Sequence, residues 1–115
     1  MKARALLLLA AALPLAALGQ DARPPAALEL FVAPAKGHCI ACHQLPEGSG
    51  PATRADLGPK LTGARMRELG KPALRRLLVD PTADQPQTVM PPFGRHQILE
   101  AAEIDRLVDF LHALP

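Results

Sequence analysis

Five consecutive residues carry most of the chemistry in this chain: Cys39, Ile40, Ala41, Cys42 and His43. Two thiols three residues apart fall on nearly one side of a helical turn, where they can form thioethers to the two vinyl groups of one haem. His43 follows directly and is placed under the ring to ligate iron, as a proximal His does in haem proteins. Two other chemistries use paired cysteines. A redox disulfide of the thioredoxin type expects alternating strands and helices around the pair, and this chain has no strand-like runs. A structural zinc needs two further ligands from His38, His43, His96, His112 or a carboxylate, and no second paired motif supplies them. The spacing favours haem attachment over both.

A sixth iron ligand is then expected downstream, from Met66, Met90, His38, His96 or His112. Met90 is the strongest candidate. It stands in Thr88-Val89-Met90-Pro91-Pro92-Phe93, where the prolines stiffen an extended backbone able to press a thioether onto iron. Met66, among Arg65, Arg67 and Glu68, is expected at the periphery. His112 suits a helix-end cation, and His38 is expected to point away from the iron side, toward solvent or a haem edge. A His43 and Met90 pair fills both axial positions and raises the potential relative to two His, which describes electron transfer and disfavours substrate at iron. A proximal His usually donates its free ring N–H to a backbone carbonyl. The Leu57-Gly58-Pro59-Lys60-Leu61-Thr62-Gly63 turn offers the Pro59 carbonyl, although the segment also reads as a plain turn. Arg54, Arg65, Arg95 and His96 are candidates to neutralise propionates, with ordinary surface charge as the alternative.

The elements that must position these groups are short helices. Pro25 opens a helix over Ala26 to Val32 that stops near Pro34. Residues 44–59, dotted with Pro, Gly and Ser, read as a surface loop. Lys71 to Val79 carries Leu74, Leu77 and Leu78 at helical spacing between Pro72 and Pro81. Asp80 to Pro92 is a second irregular stretch, long enough in so small a chain to be functional. From Glu100 the pattern is clearest, with Ile104, Leu107, Val108 and Leu111 at i, i+3, i+4 and i+7.

Composition agrees. The chain has 115 residues, 13 of them Pro, with no Trp or Tyr, three Phe and two Cys, which allows one small domain and excludes a disulfide scaffold. Ala and Leu dominate its hydrophobic share, so an all-α fold is expected and sheet-rich folds are disfavoured. An aromatic share of 3% is thin for a core of this length and leaves room for a buried cofactor.

Residues 1–19 read as a secretory signal: Lys2 and Arg4, an apolar run from Ala5 to Leu18 interrupted by Pro14, then the small residues Ala17 and Gly19. The run is shorter than the ~20 residues of a spanning helix, so the expectation is cleavage after Gly19 and a domain over 20–115 with no membrane anchor. Export then implies a periplasmic location. Loss of Lys2 and Arg4 from the 13 basic residues leaves 11, matching the 11 acidic ones. A near-neutral domain makes nucleic acid an unlikely partner.

The Cys39-x-x-Cys42-His43 motif, the Gly58-Pro59-x-Leu61-x-Gly63 turn, the late Met90 and the terminal amphipathic helix together resemble class I c-type cytochromes over residues 20–115. That resemblance implies a helical fold wrapped on one covalent haem c, the Pro59 carbonyl holding His43, and first and last helices that cross. Lys36 to Pro46 and Thr88 to Leu99, followed by Glu103-Ile104-Asp105, are similar more narrowly to the SoxX family, the monohaem subunits of SoxAX sulfur-oxidation cytochromes. This implies a heterodimer with a SoxA-type cytochrome that acts as an L-cysteine S-thiosulfotransferase. The pair joins thiosulfate oxidatively to a cysteine of a sulfur-carrier protein, with the sulfur chemistry on the partner. Electrons then pass through Cys39, Cys42, His43 and Met90's haem to a downstream acceptor cytochrome. The rival expectation is a free-standing periplasmic electron shuttle. Phe93 to Leu99 separates the two, either as a docking segment or as ordinary internal packing. The chain departs from the family at His38, where Asn is common, and at Glu100, where Thr is common, which is expected to weaken the cap of the last helix.

Overall fold

A computed structural model describes residues 26–115; the signal segment expected over 1–19 lies outside the described residues. Four helices follow in order: α1 (Ala27–Val32), α2 (Gly63–Leu69), α3 (Lys71–Val79) and α4 (Ala101–His112). Two 3-10 turns, Cys39–Ala41 and Pro81–Ala83, lie between them, and no strand occurs among the described residues.

α4 organises the packing, because it touches α1, α2 and α3. Its Ile104, Leu107, Val108 and Leu111 are all buried, as their spacing predicts. Each such side chain contributes about 1.5–3 kcal/mol of burial. They meet Leu30 and Phe31 from α1 and Leu74 and Leu78 from α3, and Phe31 lies 6.2 Å from Phe110 at a tilted 59°. The start of α4 departs from expectation. Glu103 accepts the Glu100 N–H at 2.9 Å, so the backward arm of a capping box is kept although Glu stands where Thr was expected.

α3 has the predicted bounds. Pro72 sits in its first turn, where no N–H is needed, and Asp80 before Pro81 turns extended and ends it. α2 was not expected. Thr62 caps it by accepting the Arg65 N–H at 3.4 Å, and Gly70 (φ +76°) makes the corner into α3. Met66 on this helix is 3% exposed, which corrects its expected place at the periphery. Arg65, Arg67 and Glu68 occupy the outer faces of the same short helix, so the charged neighbours said nothing about where Met66 points. Gly63 is required at the first position: a Cβ there would sit 2.7 Å from the Leu114 carbonyl carbon.

Candidate functional site

The Cys39–His43 segment is a single tight turn. Cys42 and His43 both donate their N–H groups to the Cys39 carbonyl, at 3.1 and 2.9 Å. The approach from α1 is fixed one residue earlier, where Gly37 donates to the Leu30 carbonyl at 3.1 Å. A Cβ on Gly37 would come within 2.9 Å of that carbonyl oxygen and 3.0 Å of Cys39 Sγ, so only glycine fits. His38 then takes a left-handed conformation (φ 46°), one that Asn and His adopt more readily than most residues. Lys36 anchors the same approach to α4 through a 2.7 Å ion pair with the buried Glu103. Burial raises the Glu103 carboxyl, but the Lys36 ammonium, the Glu100 N–H and nearby Arg106 outweigh it and hold the group below its ordinary value.

The loop from Gln44 to Leu61 folds back over the turn. Gly58 donates to the Cys42 carbonyl and Leu61 to the Gln44 carbonyl, both at 2.9 Å, while Gln44 Nε2 donates to the Ala55 carbonyl at 2.7 Å. This brings Pro59 O to 2.7 Å from His43 Nδ1, as the resemblance implied. A carbonyl can only accept, so His43 carries its proton on Nδ1 and keeps Nε2 free. Gly58 lies against the flat of the imidazole: a Cβ there would be 2.6 Å from Nδ1 and 2.8 Å from Nε2. The ring is therefore set by a hydrogen bond on one edge and a glycine against it.

These groups open onto a cavity of about 620 Å³. Cys39, Cys42 and His43 line it together with Met66 from α2, Leu74, Leu77 and Leu78 from α3, and Met90 from the irregular loop. His38 is exposed and stands on the cavity lining, a place that agrees with the expected position at solvent or a haem edge. Of the arginines singled out above, Arg65 lines the cavity, while Arg95 is engaged with Asp80 at 3.3 Å. Arg54, His96 and His112 are not among the lining residues. Phe93 and Leu99 are buried in the core and Ile98 is 37% exposed, so most of the apolar content of that segment packs internally.

The cavity's chemistry fits a haem. Both cysteines are free, and burial, with the neighbouring Cys42 adding to it against a backbone hydrogen bond, pushes the Cys39 thiol up to about 11. A half-buried thiol held in its neutral form is less suited to disulfide exchange or zinc, which both use the thiolate. Among the described residues no cluster of three or more His, Cys, Asp or Glu is placed to hold a metal ion by itself. Among the described residues the exposed large hydrophobic side chains are Leu57, Leu69, Val89 and Ile98, and the first three line this cavity. A flat apolar group seated there would cover apolar surface at these residues. Cys39 and Cys42 would hold such a group covalently, with His43 and a Met thioether as the available iron donors.

The family model of cytochrome c oxidase, cbb3-type, subunit III matches residues 22–111. Among solved structures, the fold is similar to a chain in the crystal structure of SoxXA from P. pantotrophus, with a TM-score of 0.65 and 23% identity over 76% of this chain and 77% of that one. No match was found among curated proteins. With its helices, its thiol pair and its cavity in place and the family model spanning most of its length, the chain belongs to the cbb3-type cytochrome c oxidase subunit III family and is an electron-transferring cytochrome c domain, which implies covalently bound haem c.

Proposed function

We propose that this chain is a SoxX-type monohaem subunit of a periplasmic SoxAX cytochrome, with Cys39 and Cys42 as the thioether residues and His43 and Met90 as the axial ligands. The observation that carries the ligand assignment is the single cavity walled by the Cys39–His43 turn and by the Met90 loop. The likeness to the SoxXA structure supports the assembly. When bound, the haem supplies a one-electron iron couple.

The chain's own residues do the rest. Pro59 fixes the imidazole so that Nε2 is presented without rotation, which keeps reorganisation small when charge changes. Leu74, Leu77 and Leu78 exclude water from the ring's surroundings, and a dry apolar shell together with a thioether donor raises the potential. With His43 and Met90 as its donors, a haem held here would offer no open iron position to thiosulfate, so the thiosulfate chemistry belongs on a SoxA-type partner and this subunit would pass electrons from it to an acceptor cytochrome. The sulfur-carrier protein then docks on the partner.

The test is purification of the native protein from its own periplasm, followed by gel filtration and mass measurement. Co-elution with a second c-type cytochrome, and thiosulfate-dependent reduction once the carrier protein is added, supports the subunit reading. A lone monohaem monomer that thiosulfate does not reduce under those conditions assigns the chain to free-standing electron shuttling.

A further inference from the structure

The loop that carries Met90 leaves the end of α3 and returns to the same place. Asp80 breaks the helix (φ −154°, ψ 92°), and Gly94 and Arg95 later donate their N–H groups back to the Leu78 and Val79 carbonyls at 3.3 and 2.9 Å. Residues 81–93 thus form a closed loop with touching ends. The contact is close. A Cβ on Gly94 would stand 3.0 Å from Val79 Cα and 3.1 Å from Ile104 Cδ1.

Both ends are fastened at one side chain. Asp80 Oδ1 accepts the Thr82 N–H at 3.1 Å and the Thr82 hydroxyl, which starts the 3-10 turn at the outgoing end. Asp80 Oδ2 accepts from the Arg95 guanidinium at 3.3 Å on the returning end, and Arg95 also reaches Thr82 Oγ1 at 3.4 Å. Every hydrogen bond described for residues 83–91 is made within the loop or to Asp80; Met90 itself donates its N–H to Thr88 Oγ1 at 3.2 Å. Arg95 is 61% exposed, so the ion pair alone is weak. Its leverage comes from joining a three-residue network that closes a loop, where losing one carboxylate releases both ends together. Asp80 does not line the cavity.

We propose that Asp80 is the positioning residue of the Met90 loop, its carboxylate bridging Thr82 and Arg95 so that Met90 stays in the cavity. The proposal rests on the reading of Met90 as an axial ligand.

The experiment uses the full ferric holoprotein, with imidazole as a competitor for the sixth position and the far-red sulfur-to-iron absorption band as a second readout. Asp80→Ala is expected to raise imidazole affinity about tenfold, the scale of a lost cap, and to weaken the band. Arg95→Gln, which leaves the Asp80–Thr82 contacts, is expected to raise it about threefold, and Arg95→Lys to bring it back toward wild type. Asp105→Ala breaks the exposed Arg75–Asp105 pair between α3 and α4 and is expected to change neither readout. If Asp80→Ala yields no holoprotein, Asp80→Asn and Arg95→Gln carry the same test. Wild-type imidazole affinity in these variants, beside a large rise in Met90→Ala, overturns the positioning role and leaves the ligand reading standing. An unchanged band and affinity in Met90→Ala overturns the ligand reading and this proposal with it.

Discussion

The two sides of the cavity are held by different means. His43 is fixed by bonds between segments far apart in sequence: Gly58 to Cys42, Leu61 to Gln44, and Pro59 to the ring itself. Gly37 and Gly58 have no room for a side chain, and Lys36 ties the whole approach to α4. Met90 belongs to a loop fastened at its ends and bonded internally between them, with Val89 beside it 74% exposed. Opening the His43 side therefore disturbs the core, whereas the Met90 side can open locally at little cost to the rest. Under the proposed ligation by His43 and Met90, this asymmetry keeps one donor permanent and makes the other tunable.

The largest blow to that asymmetry is Gly58→Val. Its branched side chain has to displace an imidazole whose atoms already lie 2.6 and 2.8 Å from an added Cβ, costing about 1–3 kcal/mol as overpacking and breaking the Pro59 contact. Chemical denaturation and the yield of covalent haem both fall; wild-type values in both contradict a rigid His43 side. Next is Glu103→Gln, which removes the charge that Lys36 meets at 2.7 Å and is expected to cost about 1–2 kcal/mol, given that Lys36 is partly exposed. The folded carboxyl is held below its ordinary value of 4.5. Its contribution is complete above that pH and is lost as pH falls from there through the lower folded value. Stability curves measured between neutral and acid pH should therefore be steeper below 4.5 in wild type than in the Gln variant, and parallel curves sink the assignment. The smallest effect belongs to the Met90 side. Thr88→Val removes the acceptor for the Met90 N–H and should leave the melting temperature within ~2 °C while altering sixth-ligand exchange. A large drop in melting temperature would erase the distinction between the two sides.

Much of this was readable in the residues alone. α3 and α4 have apolar side chains at helical spacing with prolines or a polar cap at their ends, and the all-α fold, the thiol pair and the Pro59 contact followed from pattern and resemblance. α2 was not readable. It buries a single large side chain, Met66, among charged neighbours, and what makes it a helix is a Thr62 cap, a Gly63 pressed on the Leu114 backbone and the Gly70 corner. The Thr62 cap and the Gly70 corner are local signals, but no apolar period joins them, and the Gly63 contact is tertiary. The left-handed backbone of His38 was equally invisible to any pattern, and it explains why Asn suits this position in the family the chain resembles. The Asp80–Arg95 and Lys36–Glu103 pairs join residues 15 and 67 apart, a separation that no local pattern marks.

Met66 and Met90 both line the cavity, and only one can be the axial sulfur of a His/Met haem. The deciding measurement is the far-red absorption of the ferric holoprotein in wild type, Met66→Leu and Met90→Leu. The account predicts a sulfur-to-iron band that survives in Met66→Leu and disappears in Met90→Leu, with a lower reduction potential. A band that persists in Met90→Leu, or that is lost only with Met66, contradicts it.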